Sequence, residues 1–316
     1  MVDGYEVGVS ASCGISLYPE HTDNIEALLI NADGAMYAAK KTAGNKAILF
    51  DEKISIEKKE KLHIEARLKK AIALEAIDVY YQPKVDARTN KMTGVEALLR
   101  WTDEELGFVS PDRFIAVAED AGLVHSLWKI AMKKACLQVT KWNKGREEPL
   151  TLAVNFSAKQ FQEPCSLVKQ VKEFLSECGL APELFEIEIT ESTLLFNTKE
   201  TIRALENLHQ YGISISIDDF GTGYSSLSYL KTLPITSLKI DRSFIQDIGD
   251  DFRDSEIAEA IINLARSLRL KVIAEGVEEE YQKEFLMQHH CYDMQGYLFS
   301  KPVSAEELGG SWGQVP

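Results

Sequence analysis

Six side chains that could offer oxygen to a metal stand one by one at the ends of short apolar runs: Glu96, Asn155, Glu188, the adjacent pair Asp218 and Asp219, and Glu275. Carboxylate and amide oxygens are the hard ligands that Mg²⁺ and Mn²⁺ favour. One such acid alone is as readily a helix cap or a salt-bridge partner, so the weight of the pattern lies in its recurrence. From Glu96 through Asn155, Glu188, Asp218, Lys239 and Glu275 to Gln295 the intervals are 59, 33, 30, 21, 36 and 20 residues, mostly the length of one strand-helix unit. Each is expected at the carboxyl end of its strand, the edge where a β/α barrel gathers residues far apart in sequence. The ring points to metal-dependent hydrolysis.

Asp218 and Asp219 follow the apolar run 213–217 and precede Phe220-Gly221-Thr222-Gly223. Neighbouring side chains on a strand point to opposite faces, but a strand ending in a turn can bring both toward metal, one of them bridging two ions. The plain alternative is a cap for the next helix. The glycines lack the GxGxxG spacing that cradles a nucleotide and suit a loop that moves. Lys239, in Leu238-Lys239-Ile240-Asp241, is expected inside the acid ring. There an ammonium can orient a water, steady charge on phosphate or balance the carboxylates, and these roles are compatible. His289, His290 and Cys291 resemble a soft-metal cluster, yet adjacent residues rarely aim at one centre, so zinc is not expected there.

The elements that must position these groups read as strands near 77–85, 92–100, 150–156, 185–190, 213–218, 236–240, 271–275 and 292–299. Amphipathic helices fit at 111–120, 124–144, 164–178, 198–211, 224–231, 254–269 and 278–288. Eight strands is the barrel number. Only about five residues, 87–91, separate the first two strands, and a parallel crossover needs roughly a dozen, so these two must be antiparallel. The expected fold is a TIM-like (β/α)8 barrel with a reversed first strand, preceded by a small α+β piece.

That piece, residues 1–50, reads as hairpin, helix and strand, with alternating Val, Ser and Ile over 5–18 and a helix over 24–42 that Asp23 and Glu26 would box in. Residues 51–76, rich in Lys and Glu with Leu62, Leu68 and Ile72 interspersed, read as a connecting helix with one packed side. The barrel is expected over 77–316.

At 45% hydrophobic and 27% charged residues the composition is that of a soluble globular protein. A net charge of −14 argues against binding a nucleic-acid polymer, which needs an excess of Lys and Arg. Five cysteines without a CxxC suit a reducing cytoplasm. No run reaches the length of a membrane span, so direct membrane contact is not expected, although an anchor upstream in a longer parent is compatible with this sequence.

The region from about Leu62 to Leu308 resembles the EAL-domain phosphodiesterases that hydrolyse cyclic di-GMP. The likeness rests on Tyr81-Gln82-Pro83-Lys84, Glu96-Ala97-Leu98-Leu99-Arg100-Trp101, Asn155-Phe156-Ser157, Glu188-Ile189-Thr190-Glu191, Asp218-Asp219-Phe220-Gly221, Leu238-Lys239-Ile240-Asp241, Ala274-Glu275-Gly276-Val277-Glu278 and Gln295-Gly296-Tyr297. It implies that Glu96, Asn155, Glu188 and Asp218 hold one Mg²⁺ or Mn²⁺, while Asp218, Asp219 and Glu275 serve a second. It implies that Lys239 positions the attacking water, that Gln295 supports that water or the metal shell, and that Glu191 anchors the loop after Asp219. Gln82, Arg100, Asp241 and Glu278 would meet the substrate, Arg100 through phosphate and Glu278 near a guanine. The product would be linear pGpG, and a homodimer is the usual assembly. A receptor that binds cyclic di-GMP without cleaving it is the alternative. Residues 9–19 and 32–40 resemble the tail of a GGDEF cyclase domain without its signature, so cyclase activity is not expected.

Overall fold

The structure, a computed structural model, describes residues 10–41, 45–191, 193, 199–221, 230, 233–246, 248 and 252–311. It divides into two compact units, Met1–Lys70 and Ala71–Pro316.

In the first unit, strand β1 (Cys13–Ile15) pairs in parallel with β2 (Ala47–Leu49), and helix α1 (Ile25–Lys41) carries the chain back between them. A 17-residue helix is the long return that parallel pairing requires. Residues 5–9 of the expected hairpin lie outside the described residues. The helix cap differs from expectation. Asn24, not Asp23, caps α1, its Oδ1 accepting from the Ala27 amide at 3.1 Å, because only the residue directly before the helix reaches its third amide. Helix α2 (Glu52–Ala73) forms as its composition predicts, with Ile64, Leu68 and Ala71 as its buried stripe. Leu62, expected on that side, is 58% exposed, since two residues of helix turn it nearly half a circle away from Ile64.

In the second unit eight strands close a barrel: β3 (Asp78–Asp86), β4 (Lys91–Asp103), β6 (Thr151–Phe156), β7 (Phe185–Thr190), β8 (Ser214–Phe220), β9 (Ser237–Ile240), β10 (Lys271–Ala274) and β11 (Asp293–Met294). From β4 to β11 these strands run parallel, while β3 is antiparallel to both of its neighbours, β4 and β11. The tight turn after Asp86 leaves no other choice. An unanticipated strand, β5 (Gly107–Val109), pairs antiparallel with the far end of β4. Around the barrel lie helices α3 (Pro111–Asp120), α4 (Val124–Asn143), α5 (Pro164–Cys178), α6 (Lys199–Gln210), α7 (Arg242–Gln246), α8 (Phe252–Ser267), α9 (Glu280–Gln288) and α10 (Ala305–Ser311). Proline in the first turn starts α3 and α5 where the sequence places them. The expected helix over 224–231 lies, apart from Leu230, outside the described residues.

Strand alternation sorts the side chains. On β7, Phe185, Ile187 and Ile189 join the hydrophobic core, whereas Glu186 and Glu188 take the opposite face. Lys84 on β3 bonds both of these acids although β3 and β7 are not neighbours, so that face is the barrel interior. The interior is accordingly polar: Lys84, Glu96, Glu186, Glu188 and Lys239 are buried where barrels usually place branched apolar residues.

The last strand is shorter than expected. In place of 292–299 it comprises Asp293–Met294, after which the chain curls around Val277, whose amide bonds Gln295 O at 3.1 Å while its carbonyl accepts from Leu298 N at 2.9 Å. A Cβ on Gly296 would lie 2.1 Å from Val277 O, so this close approach needs glycine.

Candidate active site at the carboxyl ends of the barrel strands

Lys239 is fully buried at the centre of the acid ring. Its Nζ lies 2.6 Å from Glu275 Oε1, 2.9 Å from Glu188 Oε2, 3.1 Å from Asp218 Oδ1 and 3.7 Å from Glu96 Oε2. Residues from β4, β7, β8 and β9 and the residue after β10 therefore meet at one point. Asn155 on β6 joins them, its Nδ2 donating to Glu96 Oε1 at 2.6 Å, and Gln295 after β11 donates to Glu96 Oε2 at 2.6 Å. Because both amides must turn NH₂ toward a carboxylate, each leaves its oxygen free to accept or ligate. Gln295 Oε1 is buried without a hydrogen-bond donor. Glu188 and Lys239 form the floor, and Asn155 and Asp219 lie exposed at the rim.

The strand-end rule needs one adjustment. Glu96 sits mid-strand, because β4 runs on to Asp103 to pair with β5; within the part that pairs with β6, Gly94–Ala97, it is next to last.

Asp218 and Asp219 share a side through a break in alternation. The register between β8 and β9 shifts between Ile217 and Phe220, and Asp219 adopts a left-handed φ of 52°. Such a bulge re-aims a side chain. As a result Asp218, Asp219 and Glu275 can each offer an oxygen within 4.8 Å of the others. Gly276, at φ 66°, makes the turn that leaves Glu275 at the rim, where a Cβ would strike Arg242.

The remaining expected residues fall around this ring. Gln82 on β3 accepts from Gln295 Nε2 at 3.0 Å and donates to Ser300 O at 3.2 Å. Glu191 Oε2 accepts from the Gly221 amide at 3.2 Å, which ties it to the segment after Asp219. Arg100 stands over the Tyr80 ring at 5.6 Å and donates to Leu99 O. Asp241 caps α7 through the Ser243 amide at 3.0 Å, and its carboxyl is one of the neighbours that raise Asp219. Glu278 is exposed, its backbone amide bonded to Gln282. Thr222 and Gly223 lie outside the described residues. Two interior residues that the strand-end spacing does not identify, Lys84 and Glu186, underlie Glu188. The signal for them was parity, Glu186 sharing the inward face of Glu188 and Lys84 that of Gln82.

Away from the ring, His289 pairs with Glu259 at 3.6 Å, His290 with the Tyr292 hydroxyl at 3.0 Å, and the Cys291 thiol is buried near Val272 O. The three side chains have separate partners. A groove of about 530 Å³ between the start of α4 and α5 is lined by Glu119, His125, Lys159 and Gln170 among others, and holds none of the ring residues.

The electrostatics of the ring suit a divalent cation. Four carboxylates (Glu96, Glu188, Asp218 and Glu275) share Lys239 and Asp219 adds a fifth acid beside them, while Lys84 is divided between Glu186 and Glu188. Burial, and then the charge on Glu188, push Glu96 up to about 7; burial and Asp218 push Asp219 to about 6. Burial and the neighbouring acids also hold Glu275 well above the ordinary range, although Lys239 opposes this. Burial would lift Glu188 too, but Lys239 and Lys84 outweigh it and bring that acid down to about 2. Lys239 stays protonated, the surrounding acids outweighing its desolvation. Protons therefore occupy part of a cluster rich in hard oxygen ligands. A dication would displace them, and the donor set fits Mg²⁺ or Mn²⁺.

A pH dependence follows. Between the ordinary glutamate value of 4.5 and about 7, folded Glu96 keeps a proton that the unfolded chain has released, so raising the pH through that window favours unfolding. In EDTA the melting temperature is expected to fall by several degrees between about pH 5 and 7.5, and excess Mg²⁺ to flatten the slope. Thermal scans across that range test this; a level profile in EDTA would contradict it.

The comparisons with known proteins agree with this geometry. Residues 65–302 match the model of the EAL domain, and residues 2–46 match that of the diguanylate cyclase GGDEF domain. The chain is 41% identical over 307 residues to the cyclic di-GMP phosphodiesterase NbdA of Pseudomonas aeruginosa, covering 97% of this chain and 39% of that protein. It is 36% identical over 301 residues to the cyclic di-GMP phosphodiesterase PdeR of Escherichia coli, covering 95% of this chain and 45% of that one. It thus spans less than half the length of these relatives. A solved structure described as the PaMucR phosphodiesterase in complex with c-di-GMP superposes with a TM-score of 0.74 at 42% identity, covering 78% of this chain and 99% of the other. Among the described residues, no helix is long and apolar enough to cross a membrane. With the acid ring at the carboxyl ends of a barrel whose first strand is reversed, and a family match over most of its length, the chain belongs to the EAL domain family.

Proposed function

We propose that this chain hydrolyses one phosphodiester of cyclic di-GMP to give linear pGpG. The observation that carries the reading is the convergence of Glu96, Asn155, Glu188, Asp218, Asp219 and Glu275 around Lys239. Glu96, Asn155, Glu188 and Asp218 would hold one Mg²⁺ or Mn²⁺, and Asp218, Asp219 and Glu275 a second. Bound there, the ions would supply Lewis acidity at the phosphoryl oxygens and a more acidic water.

The chain's own groups divide the remaining work. Lys239 is held as an ammonium and cannot serve as a base, so it donates hydrogen bonds to the attacking water or to phosphoryl oxygen as charge develops. Gln295, with its free oxygen beside Glu96, accepts from that water and restricts its direction of approach. Arg100 offers a guanidinium fork to phosphate, and Gln82, Asp241 and Glu278 complete the substrate contacts. Glu191 holds the backbone after Asp219 through Gly221, and so keeps Asp219 at the rim.

In this reading residues 1–50 are the C-terminal part of a GGDEF-like domain, 51–76 a connecting helix and 77–316 the catalytic barrel, acting as a homodimer. Incubation with cyclic di-GMP and Mg²⁺, followed by chromatography, is expected to yield pGpG, and EDTA to abolish it. Tight binding with no product would instead assign the chain a receptor role.

A further inference from the structure

Lys84 enters the barrel from β3, the reversed strand, and its Nζ lies 2.8 Å from Glu188 Oε1 and 3.1 Å from Glu186 Oε2. Glu186 precedes Glu188 by two residues on β7, so Lys84 reaches Glu188 from the deeper side. On the ring side, Lys239 faces the other oxygen, Oε2, at 2.9 Å. Glu188 is 0% exposed, and each of its oxygens meets a different ammonium. As a simple counter-ion of Glu186, Lys84 would make one pair that apolar residues could replace at little cost. Its shorter contact is to Glu188, the acid that belongs to the ring.

We propose that Lys84 is a positioning residue for Glu188: by occupying Oε1 it fixes the rotation of the carboxylate, so that Oε2 alone is presented to a divalent cation. The proposal rests on the metal-centre reading above. An outer partner of this kind typically changes metal affinity or activity by about 10–100-fold. Removing Lys84 alone also adds negative charge, which attracts metal and masks the loss of positioning. The informative variant combines Lys84→Met with Glu186→Met, which leaves the local charge unchanged and removes the buried pair together.

The test compares the whole chain and this double variant by Mn²⁺ titration with electron paramagnetic resonance, by turnover of cyclic di-GMP and by thermal melting. The double variant is expected to fold with a melting temperature close to that of the parent, to bind Mn²⁺ roughly tenfold more weakly and to turn over at least tenfold more slowly. Parental Mn²⁺ affinity in the double variant would overturn the proposal while leaving the metal centre standing. A double variant that does not fold would make the pair a folding element and overturn it as well. A parent chain that neither binds Mn²⁺ nor cleaves cyclic di-GMP would refute the metal-centre reading itself, independently of Lys84.

Discussion

Replacing Glu96 with alanine is expected to lower turnover of cyclic di-GMP by about a thousandfold or more, the equivalent of roughly 4 kcal/mol of lost transition-state stabilisation. The size of the effect follows from what Glu96 holds. Its two oxygens take the Asn155 and Gln295 amides at 2.6 Å each, and Oε2 also faces Lys239 at 3.7 Å. Truncation would remove one of the proposed metal ligands and free the Asn155 and Gln295 amides to rotate. Stability should change far less, because Glu96 is a buried acid pushed up to about 7 and its removal relieves crowding among the carboxylates. Steady-state assays at saturating Mg²⁺, with melting curves as the control for folding, check both parts. Near-parental turnover would defeat the assignment of the ring.

The second large effect is expected from Lys239→Met. The side chain keeps its length but removes the positive charge that faces four carboxylates at 2.6–3.7 Å. Breaking a buried ion pair by deleting one partner destabilises by about 3–5 kcal/mol. In EDTA the melting temperature is therefore expected to fall by roughly 10 °C. Added Mg²⁺ should recover much of this, since a dication meets the same acids, whereas turnover should stay about a thousandfold down because the hydrogen-bond donor is gone. A variant that regains both stability and activity with Mg²⁺ would reduce Lys239 to a counter-ion.

Much of the architecture was legible in local patterns. The reversed first strand follows from the tight connection between β3 and β4, and α3 and α5 follow from apolar spacing with proline in the first turn. The ring was legible because its members recur at the spacing of strand-helix units. What escaped depended on contacts distant in sequence. The brevity of β11 arises where Gly296 packs on Val277, and the shared direction of Asp218 and Asp219 arises from a register shift against β9. Neither has a local signature. Lys84 and Glu186 escaped for another reason: charged residues inside a barrel run against the usual apolar filling, and parity identifies them only once the inward face is known. The Asn24 cap was a one-residue error of boundary, the least determinate feature of any helix.

The reversed strand also bears on how the molecule is made. β3 pairs at once with β4 across its short turn, but its other edge waits for Asp293 and Met294, some two hundred residues later on the ribosome. Until then the nascent cylinder is an open sheet with an unpaired edge along β3, the kind of surface that recruits stray strands. Closure falls to the short pairing with β11 and to one bridge between Tyr81 and Val303, so the seam next to Gln82 and Gln295 is completed only by the end of the chain and is the natural place for a truncated product to fail.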